Sequence, residues 1–354
     1  MPETEEKPPL ADVAESFRID EARLHDWLEA NVDSFAGPLA VRQFTHGQSN
    51  PTYLLDTPGK QYVLRRKPPG KLLRGAHAVD REARVMGALG QAGFPVPKIY
   101  GLCTDDDVIG TWFYVMEMVA GRVFLRPDLS AVARGERPQY FDALNEVLAT
   151  LHNVDPASVG LSDYGKTGGY VERQIGVWRR QYHENEEAGR DAHLDRLAEW
   201  LPANIPVNDE TTIVHGDYRI DNVIFHPEKP DILAVLDWEL STLGHPLADF
   251  TYHLMMYRVP HDMRAGLAGL DLNALNLPDE ASYVADYCRR TGRDGIAGIE
   301  FYLAFNFFRF AAICHGIKGR LIRGNAASPD AVQLVETIPR FAEIGWQCAQ
   351  RVGA

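Results

Sequence analysis

"IVHGDYRIDNVIF", residues 213–225, decides how this 354-residue chain is read. A histidine, a glycine and an aspartate close an apolar run, and an asparagine follows five residues after Asp217, before apolar residues resume. Packing does not ask for a carboxylate and a carboxamide on a short turn between two strands. Taken singly, Asp217 reads as a turn or cap carboxylate and Asn222 as a turn residue. The sequel "LAVLDWE", residues 233–239, adds Asp237, 15 residues beyond Asn222 with a strand–turn–strand pattern between them. Phosphoryl transfer needs little covalent help from a protein. It needs a metal-bound triphosphate, a positioned hydroxyl, and a carboxylate to orient that hydroxyl and take its proton. Asp217 can be that carboxylate, while Asn222 and Asp237 offer the oxygen ligands that magnesium prefers beside water and phosphate oxygens.

The composition is compatible with this chemistry. Lys and Arg number 36 against 49 Asp and Glu, a net charge of −13, which argues against nucleic acid or an anionic membrane as the main partner. The charge leaves room for a locally basic pocket. An apolar share of 45% and a charged share of 24% are those of a soluble globular protein, long enough for two domains or one domain of two lobes. Cys103, Cys288, Cys314 and Cys348 show no paired spacing and read as reduced thiols. The start, "MPETEEKPPLADV", has the composition of neither a signal nor a transit peptide. The most apolar stretch, "FYLAFNFFRFAAICHGI" at 301–317, carries Asn306, Arg309 and His315 and reads as a buried helix, not a membrane span. These features predict a cytoplasmic protein with no membrane association; the oligomeric state is not legible.

Along the chain, residues 1–18 are expected to form a flexible tail, followed by a helix at "EARLHDWLEANV". Strands are predicted at "LAVRQFTHG", "PTYLLDT", "QYVLRRK", "KIYGLCT" and "TWFYVMEMV", with a helix from about residue 78 to 91 between the third and fourth. Beyond Gly121 the pattern is mostly helical, apart from the hairpin at 222–237. The expected division is 19–118 as a nucleotide-binding lobe and 119–354 as a catalytic and substrate-binding lobe. The seam of two such parts is a usual place for a small-molecule site.

Three other motifs compete. "GLSDYGKT", residues 160–167, matches the phosphate-loop pattern in full. That mechanism needs a buried strand ahead of the loop and a helix starting at the lysine, whereas "HNVDPASV" precedes it and "GGY" follows. The Gly216-Asp217…Asp221 spacing is one residue too long for a two-metal phosphoesterase. "HGQSNP", around Ser49, lacks the second glycine of a nucleophile elbow.

"VHGDYRIDNVIF…LAVLDWELSTLGHPLADF" resembles the aminoglycoside phosphotransferase/choline kinase branch of the protein-kinase-like fold. It is more closely similar to the phosphotransferase domain associated with acyl-CoA dehydrogenases and to its free-standing bacterial relatives, over residues 40 to 350. The resemblance implies an α+β, two-lobed fold with a small β-rich N-lobe holding one helix and a larger, mostly helical C-lobe. It also implies an ATP- and Mg2+-dependent small-molecule kinase acting on a hydroxyl group. Asp217 is then the catalytic base, Asn222 and Asp237 are the Mg2+ ligands, and His215 and Asp249 are structural posts. Gly47, Ser49 and Asn50 would cover the nucleotide phosphates. Arg65 falls where the family carries a lysine, with Lys67 as the other choice; the swap is not neutral, since arginine clamps phosphate bidentately and lysine acts as a point charge. Glu82 would hold that cation. The Glu117 carbonyl and the Val119 N–H would read the adenine edge, with Met116 or Met118 against the base.

On the acceptor side, Tyr170, Gln174 and Trp178 fall on one helical stripe beside Arg173, Arg179 and Arg180. Such a stripe is more often core than pocket. Arg309, inside an apolar helix, needs either an acidic partner or a substrate anion. The resemblance implies a hydroxy acid or its CoA thioester as acceptor. A non-catalytic nucleotide-binding protein and an antibiotic phosphotransferase are the alternatives.

Overall fold

The computed structural model describes residues 10–45, 50–68, 77–263, 266–324 and 329–354. The chain begins with β1 (Leu10–Ala11), α1 (Glu21–Asn31), β2 (Ala40–Phe44), β3 (Thr52–Thr57), β4 (Lys60–Arg66), α2 (Val79–Gln91), β5 (Ile99–Cys103), α3 (Asp106–Ile109) and β6 (Phe113–Glu117). It continues with α4 (Arg137–Asn153), α5 (Tyr170–Glu184), α6 (Ala192–Ala203), β7 (Thr212–Val214), β8 (Val223–Phe225), β9 (Ile232–Val235) and β10 (Thr242–Gly244). The last helices are α7 (Pro246–Leu254), α8 (Leu272–Leu275), α9 (Glu280–Thr291), α10 (Ile299–Ile322), α11 (Pro329–Glu336) and α12 (Ile338–Gln350). Two compact units result: Met1–Leu125 with Ala157–Ser162 and Ile220–Ser241, and Arg126–Pro156 with Asp163–Arg219 and Thr242–Ala354.

In the first unit six strands form one sheet in the order β1-β2-β3-β4-β6-β5. Its central strands are apolar on both faces, because the alternation of side chains feeds two cores. Tyr53, Leu55, Tyr62, Leu64, Phe113 and Val115 share a core with Leu24 and Leu28 of α1. The alternate positions, including Val63, Arg65 and Tyr114, belong to the opposite face, and α2 packs on β5 and β6. Each fully buried leucine contributes about 1.5–3 kcal/mol. The β8–β9 hairpin joins this unit through Arg122, whose N–H donates to the Phe225 carbonyl at 2.8 Å. Gly121 makes that approach possible: a Cβ there would sit 2.2 Å from the Phe225 carbonyl oxygen.

The tail needs a correction. Residues 1–9 lie outside the described residues, but 10–18 are held. Leu10 and Ala11 pair with Phe44 and Gln43, and the Phe17 carbonyl accepts from Tyr53 and Arg66. Val13, Phe17 and Ile19 pack on the α1 core. Three apolar residues scattered among acids give no periodic signal, yet they suffice to tie an edge down.

The second unit is helical. Its α10 is the buried helix expected of the 301–317 stretch, packed by α5, α6, α7 and α12. One pairing had no sequence signal. β7 pairs antiparallel with β10, Thr212 opposite Gly244 and Val214 opposite Thr242. At three residues each, these strands are too short to show alternation, but β7 delivers the chain directly into His215-Gly216-Asp217. All four cysteines are free and buried. No described helix is long and apolar enough to cross a membrane.

Candidate active site

The first unit gathers Asn50, Arg65, Glu82 and Asp237. Arg65 extends from β4 with its Nε 3.3 Å from Glu82 of α2, and its Nη2 2.8 Å from Asp237 and 3.6 Å from Glu239. Tyr114 donates to Glu82 at 3.1 Å, and Asn50 donates to the other carboxylate oxygen at 3.0 Å. His77 Nδ1 lies 3.0 Å from the Asn50 side-chain oxygen, an acceptor, so the histidine is the donor there. Burial pushes the Glu82 carboxyl up to about 7, opposed by Arg65 and reinforced by Asp237 and Glu239. Burial works against the Arg65 charge as well, yet Tyr114, Glu82 and Asp237 hold its proton more firmly than usual. Lys67, the other candidate cation, instead faces Asp80 at 3.7 Å and the ring of Trp112.

Asn222 and Asp237 belong to the foot of the β8–β9 hairpin. Val223 is paired with Val235, and the Leu236 N–H donates to the Asn222 carbonyl at 2.8 Å. The register therefore sets Asn222 across from the residue before Asp237. Asp237 turns out of the strand at φ 64°, a left-handed conformation that aspartate tolerates better than most residues. Amide and carboxylate oxygens are hard donors of the kind Mg2+ takes. One guanidinium here faces three carboxylates, a negative surplus that a divalent cation would offset. On both counts the residues fit the ion. Among the described residues no three His, Cys, Asp or Glu side chains form a metal cage, so substrate oxygens would have to complete the shell.

Of the remaining nucleotide candidates, Gly47 and Ser49 lie outside the described residues. Glu117 ends β6, its N–H donating to the Lys98 carbonyl and its side chain accepting from the Lys98 N–H. Val119 follows just beyond the strand, and Met116 is buried.

The second unit holds His215, Asp217, Asp249, Tyr170, Gln174, Trp178 and Arg309. Asp249, on α7, accepts the His215 N–H at 2.7 Å, the Gly216 N–H at 2.8 Å and His152 Nε2 at 3.1 Å. Burial alone would raise its carboxyl; His152, His215 and the backbone donors bring it below the ordinary value. Gly216, at φ 85°, supplies the left-handed step that lets two successive N–H groups face one carboxylate. His215 Nδ1 accepts the Asp217 N–H at 3.2 Å, which puts the imidazole proton on Nε2. Asp217 is thereby aimed by a loop held from beneath. Its Oδ1 accepts the Tyr252 hydroxyl at 2.6 Å and lies 3.3 Å from Arg219 Nε. Burial, then the Asp217 charge, push the Tyr252 hydroxyl well above its usual range, so it stays a donor.

Trp178 Nε1 donates to Gln174 at 3.0 Å, so those two satisfy each other on α5, while Tyr170 is buried at its start. Arg309 donates to the Gly216 carbonyl at 3.0 Å, and no carboxylate partner accompanies it among the described residues. The phosphate-loop rival fails on geometry. Helix α5 starts at Tyr170 and not at Lys166. The Gly168 N–H is taken by Thr211 and the Gly169 N–H by the Asp209 carboxylate. The anion position at that helix end is already filled.

Sequence reasoning passed over Tyr252, Arg219, His152, His77 and Glu239. Tyr252 had a signal: it stands three residues after Asp249, on the same helix face. Glu239 follows Asp237 by two. His152 and His77 lie far away in sequence, and only the fold brings them in.

A hairpin-borne Asn and Asp beside an Arg–Glu pair in the first unit, and an Asp on an HGD loop in the second, are what a phosphotransferase of the kinase-like class carries. The chain belongs to the phosphotransferase enzyme family, whose model matches residues 40–298. It is 41% identical over 344 residues to acyl-CoA dehydrogenase family member 10 of Mus musculus, covering 96% of this chain and 32% of that protein. The chain thus spans about a third of that relative, and less than half of member 11 from Gallus gallus, to which it is 41% identical over 355 residues. A solved protein of Ralstonia eutropha, provisionally described as an aminoglycoside phosphotransferase, superposes with a TM-score of 0.86 at 48% identity, over 94% of this chain and 99% of that one.

Proposed function

We propose that the protein is an ATP- and Mg2+-dependent O-phosphotransferase whose acceptor is a small hydroxylated molecule, a hydroxy acid or a hydroxyacyl-CoA. The observation that carries the reading is the setting of Asp217. Its loop is pinned by Asp249 and its Oδ1 is engaged by Tyr252 and Arg219. A module that only bound nucleotide would have no use for a carboxylate so oriented. Asp217 takes the acceptor's hydroxyl proton as the acceptor oxygen bonds to the terminal phosphorus of ATP; the bond from that phosphorus to the bridging oxygen breaks, and ADP leaves. Asn222 and Asp237 would hold Mg2+, which when bound offsets the charge of the phosphates. Arg65 has the geometry to meet phosphate oxygens two at a time. The hydroxyacyl class is supported by the names of the relatives, which join this kind of domain to acyl-CoA dehydrogenases.

The test is Mg2+-dependent ATP consumption by wild type and Asp217→Asn against hydroxyacyl-CoAs, free hydroxy acids, choline-like alcohols, sugars and aminoglycosides. Asp217→Asn keeps the hydrogen bonds but cannot take a proton, so turnover is expected to fall by about 10²–10⁴ while nucleotide still binds. Undiminished turnover in that variant would remove Asp217 from the chemistry.

A further inference from the structure

Arg309 lies at mid-length of the most apolar helix in the chain, α10, and is 6% exposed. A guanidinium carries several N–H donors, and a buried one without a counter-charge is costly. Arg309 has one hydrogen bond, from Nη2 to the Gly216 carbonyl. Its guanidinium carbon stands 5.4 Å from the centre of the Tyr252 ring. Its Nε is buried without a hydrogen-bond partner. Among the described residues no carboxylate lies within ion-pair distance of it. Less buried arginines of the same unit find counter-charges: Arg258 holds Glu280 and Glu300, and Arg293, whose Nε is likewise without a hydrogen-bond partner, holds Glu210. Arg66 of the first unit, as deeply buried and with the same unpartnered Nε, still reaches two carbonyls and the Tyr53 ring.

The two groups that do touch Arg309 are both parts of the catalytic loop's setting. Gly216 precedes Asp217 in the chain, and Tyr252 donates its hydroxyl to the Asp217 carboxylate. An oxyanion met by Arg309 is therefore carried within a tyrosine's length of the base. From this we infer that Arg309 is the receptor for an anionic group on the acceptor, a carboxylate close to the hydroxyl that is phosphorylated. This rests on the phosphotransfer reading and narrows it. The charge that the helix leaves unneutralised is supplied by the substrate, and a planar carboxylate matches the guanidinium fork. A polycationic acceptor such as an aminoglycoside would instead meet an uncompensated positive charge at this point.

The experiment compares hydroxy acids with their primary amides, for instance 3-hydroxydecanoate and 3-hydroxydecanamide, as acceptors for wild type, Arg309→Met and Arg309→Lys. Wild type is expected to favour the acid over the amide by about ten-fold or more in kcat/KM, the scale of one charge-assisted hydrogen bond. In Arg309→Met the preference should fall towards one through the KM of the acid, with the KM of ATP unmoved. Arg309→Lys, which keeps the charge but not the fork, should fall between, and it serves should the methionine variant not fold. Arg309 acting on the phosphoryl group in transit would lower kcat for acid and amide alike and overturn the proposal. So would an acid preference that survives both variants, or turnover confined to neutral and cationic acceptors. No turnover with any acceptor, wild type included, would sink the phosphotransfer reading itself, a different result from phosphotransfer indifferent to the carboxylate.

Discussion

Asp217 is oriented by the side chains around it. Tyr252 and Arg219 both engage its Oδ1, at 2.6 and 3.3 Å. The tyrosine contact depends on a hydroxyl that burial keeps protonated. Tyr252→Phe removes the donor and keeps the ring on which Arg309 rests. The loss of one hydrogen bond to a charged group, about 1.5–3 kcal/mol, is predicted to appear in kcat as a fall of roughly ten-fold or more. The KM of ATP and the melting temperature should stay close to wild type. Steady-state kinetics beside a thermal melt would decide it: a falling Tm with constant kcat would make Tyr252 a packing residue only. The HGD signature is legible in the sequence because its residues are neighbours in the chain. Of the groups that aim the aspartate, Asp249 was already named through the family resemblance, but Tyr252 and His152 were not, since they come from two helices that only the folded second unit assembles.

The β8–β9 hairpin shows the same divide at the level of elements. Its existence and the positions of Asn222 and Asp237 follow from two apolar runs around a Pro- and charge-rich turn. The six-stranded sheet was equally open to reading, except for β1, two residues long, whose neighbours give no alternation. Strand β10 could not be found, nor its pairing with β7, each being three residues long with about thirty residues of chain between them. What anchors the hairpin was hidden as well: Gly121, far upstream, lets Arg122 bond both ways with Phe225, at 2.8 and 2.9 Å. Gly121→Ala would put a methyl group 2.2 Å from the Phe225 carbonyl oxygen and 2.4 Å from an Ile224 methyl. Backbone cannot yield as a side-chain tip can, so the hairpin must shift. Destabilisation of about 1–3 kcal/mol is predicted, together with weaker Mg2+·ATP binding, since Asn222 and Asp237 ride on the displaced element. Denaturant melts and calorimetric titration would check both. Unchanged stability would mean that the 121–122 segment moves freely, and the argument from close approach would fall.

At the scale of the whole molecule, charge separates the possible ligands. A chain of net charge −13 repels a free triphosphate, and in the first unit one guanidinium already answers to three carboxylates. ATP without a divalent cation would add negative charge to a cluster in surplus; ATP with Mg2+ would not. Binding to the folded state raises stability by mass action, about 2.7 kcal/mol at a ligand concentration 100-fold above Kd. The protein is therefore predicted to melt a few degrees higher with ATP and Mg2+ together, and to show little change with ATP and a chelator. Asp237→Ala should abolish the Mg2+-dependent shift. Lys166→Ala should leave it intact, because the glycine N–H groups behind Lys166 are committed to Thr211 and Asp209 and its helix starts too late to cradle a phosphate. Should Lys166→Ala erase the shift while Asp237→Ala preserves it, the nucleotide belongs to the 160–167 segment, and the metal assignment to Asn222 and Asp237 is wrong.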